Sequence, residues 1–201
     1  MCFRVVTYNV CPPDSVTEQW EHEFLEQIEC LHPDVLCLQE IHNTKSSVIV
    51  TGLNSYFGYS QEIISNNRYL KWQLYSHYPM SYPTIYQPSI PIDTVGFSDE
   101  LEYTVERQTI RQPYCTADIH LPNGDILTIF SCHLQSNGYS TIRRSMKAHE
   151  NWFDGLELYI DAIKSANKLR VWEAQNLRQI LDSIGNERPV IVAGDMNDFN
   201  R

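Results

Sequence analysis

Four apolar runs of strand type, far apart in the chain, each stop on a polar side chain. "FRVVTYN" ends at Asn9, "DVLCLQE" at Glu40, "ILTIFSCH" at His133, and "VIVAGDMN" at Asp195 and Asn197. A buried polar group without a partner costs about 1–3 kcal/mol, and an unpaired charge costs more. The simplest fold that satisfies all four runs brings their ends to one polar site, and in mixed sheets such sites form beyond the strand ends. Side chains alternate along a strand, so Asp195 and Asn197 project from one face of an extended chain while Met196 points away. That spacing aims an acceptor-only carboxylate and a donor-bearing amide at one place. Singly, each residue has a plain structural reading: Asn9 as a turn residue, Glu40 as a helix start, His133 as a satisfied core histidine. Asp195 and Asn197, with Gly194 and Asp198, also suit an Asx turn. Together and in this order they define a candidate site.

The segments between these runs alternate in type. Ser15 and Glu18 match an S-x-x-E capping box, and Trp20, Phe24, Leu25, Ile28 and Leu31 follow at helical spacing. The strand ending at Glu40 restarts after Pro33. Residues 56–110, rich in tyrosine, proline and β-branched side chains, read as several short strands. Two apolar runs joined at Pro122-Asn123-Gly124-Asp125 predict a β-hairpin. Residues 141–184 read as two helices broken near Asp154-Gly155. The second carries Val171, Ala174, Leu177, Leu181 and Ile184 as its apolar stripe, with Gly185 as its stop. This order implies an α/β or α+β sandwich with helices outside the sheets. The 201 residues, 42% hydrophobic, are enough for one sizeable core and are read as a single domain, 1–201.

Composition narrows the function classes. The six cysteines include no CxxC pair, which argues against a disulfide scaffold and a structural zinc site. No room precedes "FRVVTYNV" for a signal peptide, and no apolar run reaches membrane-spanning length, so a cytoplasmic location is the default expectation. The net charge of −10 disfavours non-specific nucleic-acid binding, and it suits a divalent cation, which takes hard oxygen ligands. Arg143, Arg144, Lys147, Lys164, Lys168 and Arg170 read as a solvated helix face before they read as a polyanion site. A Cys–His hydrolase built on Cys132 and His133 is rejected, because strand neighbours point to opposite faces.

The blocks "TYNV", "PDVLCLQE", "SCHLQS" and "VIVAGDMND", with "WQLYSHYPM" between them, resemble in order the signature blocks of the endonuclease/exonuclease/phosphatase (DNase I-like) superfamily. The resemblance implies a four-layer α-β-β-α sandwich and Mg²⁺-dependent (sometimes Mn²⁺-dependent) hydrolysis of a phosphoester, nuclease-like or phosphatase-like, with nucleic acid among the candidate substrates. It implies that Glu40 is the main metal ligand and that Asn9 orients metal or phosphate. Arg111 stands where many members carry an arginine before the histidine hairpin. His133 would hydrogen-bond a phosphate oxygen, Asp195 would orient or deprotonate the attacking water, and Asn197 would hold a non-bridging oxygen. The family pattern also continues to an S-D-H-like motif that does not follow Asp195 here. The expectation is therefore a C-terminally incomplete fold, and the alternative function is a non-catalytic remnant or interaction module. Cys11, where some abasic-site endonucleases carry an acidic residue, points away from that branch.

Overall fold

The computed structural model describes residues 3–10, 17–41, 47–64, 71–86, 114–134, 170–185 and 188–196. Arg111 and Asn197 lie outside them. The chain divides into two compact units. One comprises Met1–Gln87, Pro113–His133 and Gly185–Asp195; the other comprises Pro88–Gln112, Leu134–Ile184 and Met196–Arg201.

The first unit contains two four-stranded sheets. In the first, the order is β1 (Val5–Asn9), β2 (Val35–Ile41), β4 (Lys71–Ser76), β3 (Tyr59–Ile64). In the second it is β5 (Thr84–Tyr86), β6 (Tyr114–His120), β7 (Ile126–His133), β8 (Val190–Asp195). Each sheet holds one parallel pair, β1 with β2 and β7 with β8, and antiparallel pairs otherwise. A parallel pair needs a crossover connection, and helix α1 (Glu18–Leu31) provides it between β1 and β2.

Strand alternation sorts the side chains into two cores. Val35, Cys37, Trp72 and Leu74 of the first sheet pack with Cys115, Ala117, Ile119, Ile129 and Ala193 of the second. The opposite face of the first sheet, through Leu36, Leu38 and Tyr75, packs on Phe24 and Ile28 of α1 and on Ile49 and Leu53 of α2 (Ser47–Tyr56). Burying Cys37 pushes its thiol up to about 12 and burying Cys115 does the same, so these cysteines act as small hydrophobes.

Several local expectations are corrected. The N-cap of α1 is Thr17, not Ser15. Its hydroxyl accepts from the Trp20 backbone N–H at 3.2 Å, because the hydroxyl nearest the first apolar turn captures that orphan donor. Leu31, which helical spacing groups with Trp20, Phe24, Leu25 and Ile28, is 45% exposed in the last turn. There His32 takes a left-handed conformation and its N–H closes onto the Glu29 carbonyl. Helix α2 was not anticipated from its β-branched run Val48–Thr51, whose intrinsic preference is overridden by burial of Ile49 and Leu53 one turn apart. The hairpin forms as expected, with Gly124 at φ 87° and the Leu121 N–H bonded to the Asp125 carbonyl at 2.9 Å.

In the second unit residues 170–184 are helical, and Gly185 follows at φ 74°, the left-handed stop that glycine takes readily. Val171 and Ala174 are exposed, and the buried positions are Glu173 and Leu177. Leu177 of the anticipated stripe is buried and Leu181 and Ile184 are half-buried, so the stripe holds in the later turns and Glu173 replaces Val171 and Ala174 in the first.

Candidate active site

The four strand ends meet. β1 and β2 run parallel with Asn9 opposite Gln39, and β7 and β8 run parallel with His133 opposite Asp195. Each sheet therefore delivers two polar termini at the same level. Asn9 Nδ2 donates to Asp195 Oδ2 at 2.8 Å, joining the first sheet to the second across 186 residues of sequence. His133 Nε2 lies 3.4 Å from Glu40 Oε1 and 3.8 Å from Asp195 Oδ2. The imidazole is buried, whereas the two carboxylates keep 25% and 28% of their side-chain surface exposed.

Alternation alone places three of these four residues. Thr7 and Asn9 share a face of β1, Ser131 and His133 share one of β7, and Ala193 and Asp195 share one of β8. Glu40 is the exception. Leu36 and Leu38 face the helices, so strict alternation would turn Glu40 toward them as well. Instead β2 is irregular here: Leu38 pairs with Gln73 and Ile41 with Lys71, so β2 carries one residue more than its partner. Glu40 takes φ 58°, which re-aims its carboxylate toward β7 and returns Ile41 to the helix-side core. A left-handed backbone at a non-glycine residue costs about 1–3 kcal/mol and persists where its surroundings over-determine it, often at functional sites.

Beneath the site sits a polar layer that the sequence reading did not single out. Gln39 is fully buried. Its Nε2 lies 3.1 Å from Thr7 Oγ1, 3.3 Å from Ser131 Oγ and 3.3 Å from the Cys37 carbonyl, and its Oε1 accepts from the Thr7 hydroxyl at 3.2 Å. The available signal was an amide inside the apolar run "VLCLQE", where an unpaired side chain would be costly.

Gly194 is dictated by packing of the same strand pair. A Cβ on it would lie 1.8 Å from the Cys132 carbonyl oxygen. Cys132 itself donates its thiol to the Ala193 carbonyl at 3.6 Å.

The donor set fits a hard cation. Asn9 Oδ1 is buried without a hydrogen-bond partner while its Nδ2 is engaged by Asp195, and Glu40 offers a partly exposed carboxylate in the same layer. Among the described residues no group of three or more His, Cys, Asp or Glu side chains forms a metal cluster. Mg²⁺ does not require one, since it retains several waters and takes one or two protein oxygens.

Burial pushes the His133 imidazole below the ordinary histidine range, and it outweighs the opposing pull of Glu40 and Asp195. With Nε2 facing two carboxylates and Nδ1 buried without a partner, the neutral Nε2–H tautomer suits this geometry. A folded-state value below the unfolded one, about 6.5, means that the unfolded chain binds the proton first on acidification. Stability from this group is therefore complete above about pH 6.5 and is lost as pH falls below it. Urea midpoints should drop between pH 7.5 and 5.5, with a shallower drop in His133→Gln. Equal slopes in the two proteins would contradict this assignment.

The model of the Endonuclease/Exonuclease/phosphatase family matches residues 17–200. The chain belongs to that family. No curated protein sequence matches it significantly. Solved structures with the family's fold include the human Nocturnin catalytic domain with bound sulfate, at 18% identity and TM-score 0.60, covering 98% of this chain and 64% of that one. TDP2 from D. rerio, complexed with a single-strand DNA product, shows 17% identity and TM-score 0.52, covering 98% and 62%. ANGEL2, a 2′,3′-cyclic phosphatase, shows 12% identity and TM-score 0.54, covering 98% and 53%. The chain thus spans about half to two-thirds of these structures. At such identities the likeness establishes the DNase I-like fold. Of the residues singled out in the sequence, Asn9, Glu40, His133 and Asp195 come together, whereas Arg111 and Asn197 fall outside the described part of this family member. Among the described residues no helix is long and apolar enough to cross a membrane.

Proposed function

We propose that this chain is a divalent-metal-dependent phosphoesterase that hydrolyses a phosphodiester or phosphomonoester by in-line attack of water, with Mg²⁺ as its cation. One observation carries the reading: Asn9, Glu40, His133 and Asp195, from two sheets, gather at one point with an unbonded buried oxygen and two partly exposed carboxylates. Family membership supports the reaction class.

Glu40 and the Asn9 carbonyl oxygen would hold the cation, which, when bound, supplies charge neutralisation at the phosphoryl oxygens. Asp195, acceptor-only when ionised and fixed by the Asn9 amide, orients the attacking water and receives its proton. His133 Nε2–H, buried and pointing at the carboxylate layer, donates to a phosphoryl oxygen as charge builds on it. Asn197 and Arg111, assigned through the family resemblance, would serve the remaining phosphate oxygens. Bound sulfate in Nocturnin, a single-strand DNA product in TDP2 and the description of ANGEL2 as a 2′,3′-cyclic phosphatase all concern sulfate or phosphate groups. That shared chemistry supports a phosphoester as substrate.

Hydrolysis of bis(p-nitrophenyl) phosphate tests this. Turnover should appear with Mg²⁺ or Mn²⁺, vanish with EDTA and return on adding excess cation. Turnover untouched by EDTA would refute the reading, and Mn²⁺ binding without turnover would assign a non-catalytic metal-binding module instead.

A further inference from the structure

We infer that Gln39 is a positioning residue, a clamp between the two sheets that fixes the spacing of the site residues one step above it; its catalytic consequence rests on the phosphoesterase reading, its geometric role does not. Three strands that deliver site residues are joined through this one side chain. Thr7 stands two residues before Asn9, Ser131 stands two before His133, and Gln39 immediately precedes Glu40. On a strand, residues two apart share a face, so Thr7 and Ser131 lie directly beneath Asn9 and His133, and Gln39, whose backbone stands opposite Asn9, reaches down to both hydroxyls.

The chemistry selects an amide for this place. Bridging two hydroxyls and a carbonyl requires a side chain that both donates and accepts, and only Asn and Gln carry two donors and an acceptor on one uncharged planar group. Gln39 uses its Nε2 toward both sheets, reaching Thr7 Oγ1 at 3.1 Å on β1 and Ser131 Oγ at 3.3 Å on β7, while the Cys37 carbonyl at 3.3 Å anchors it to its own strand. A carboxylate there would bury a charge below Glu40 and Asp195, and an apolar side chain would take from the Thr7 and Ser131 hydroxyls the partner that joins them across the sheets.

The same side chain also explains how the irregular backbone at Glu40 is held. The extra residue of β2 lies between Leu38 and Ile41, opposite Trp72, and Gln39 is the bulge residue whose side chain hydrogen-bonds to β1 of its own sheet and to β7 of the other. With Gln39 tied on both sides, the turn at φ 58° has one way to direct Glu40. Without the tie, β2 can relax toward regular alternation, which swings the carboxylate toward the helices. Such loss of a supporting hydrogen bond typically weakens a metal site about 10–100-fold.

Gln39→Met keeps length and burial and removes every hydrogen bond. The decisive readout is the side-chain amide of Asn9 in the metal-free full chain, measured by NMR hydrogen exchange, because its Nδ2–H bond to Asp195 reports the distance between the sheets. Exchange should accelerate about tenfold or more in Gln39→Met and less in Ser131→Ala, which cuts the arm to the second sheet, together with the Ser131–Cys37 contact, and leaves the tie to Thr7. Ile119→Val, a core change in the same sheet pair, should leave it as in the parent. If Gln39→Met does not fold, Ser131→Ala decides by the same measurement. An unchanged Asn9 exchange rate in the folded variants overturns the clamp. A second measurement, Mn²⁺ affinity, should fall about tenfold in Gln39→Met. Absence of Mn²⁺ binding in the parent chain would count against the phosphoesterase reading alone, with the exchange result still judging the clamp.

Discussion

Gly194→Ala is expected to be the most destabilising single-methyl change in the described chain, at about 4 kcal/mol, with a fall in Tm of roughly 10 °C. The added Cβ would sit 1.8 Å from the Cys132 carbonyl oxygen and under 3 Å from that residue's carbonyl carbon and amide nitrogen. All three are backbone atoms of the neighbouring strand, so no side chain can swing aside. At φ 151° the glycine also lies where L side chains rarely go. Relief requires β8 to move off β7, which loosens a parallel ladder running from Thr128–Val190 to His133–Asp195. Each hydrogen bond lost contributes about 0.5–1.5 kcal/mol, and a domain has only about 5–15 kcal/mol in total. The displacement also draws Asp195 from His133 and from Asn9, so any protein that remains folded should bind cation more weakly. Thermal unfolding followed by circular dichroism is the measurement; a Tm within 2 °C of the parent would show that the strand pair yields where the geometry says it cannot.

Glu40→Ala should reduce the proposed metal-dependent phosphoester hydrolysis by about a thousandfold, the upper range seen when one preorganised electrostatic group is deleted from a reacting site. Its carboxylate is the charged oxygen donor that the β2 irregularity aims at the layer containing Asn9 Oδ1. Removal leaves Asn9, whose neutral amide oxygen cannot offset the cost of stripping water from a small divalent ion. The loss should be in kcat with little rescue by excess Mg²⁺, because the missing interaction also organises charge around the reacting phosphoryl group. Stability should hold or rise, since the substitution removes a carboxylate that faces Asp195 across one imidazole. An alanine variant with more than a tenth of parental kcat under saturating Mg²⁺ would remove Glu40 from the mechanism.

Much of the site was readable without coordinates because strand geometry is simple. Asn9, His133 and Asp195 each stand two residues beyond a small or hydroxyl side chain facing between the sheets, and a period of two carries that orientation forward. Glu40 was readable only by chemical type. Its direction depends on one extra residue in β2, which no local pattern in "VLCLQEI" announces. Helix α2 was hidden for a related reason: Val48, Ile49, Val50 and Thr51 favour strands by themselves, and only the apolar face they meet makes them helical.

The sequence by itself determined the inventory: four apolar strands closed by donors and acceptors, a hairpin at Asn123-Gly124, and family membership through ordered blocks. Those features are local, set by side-chain period and by the cost of burying polar atoms. Tertiary structure alone decided that two parallel pairs from separate sheets would end at the same level, that Gln39 would tie them together, and that Gly194 would admit no Cβ. These depend on atoms dozens to nearly two hundred residues apart approaching within hydrogen-bond or van der Waals distance, and no nearest-neighbour rule along the chain encodes that proximity.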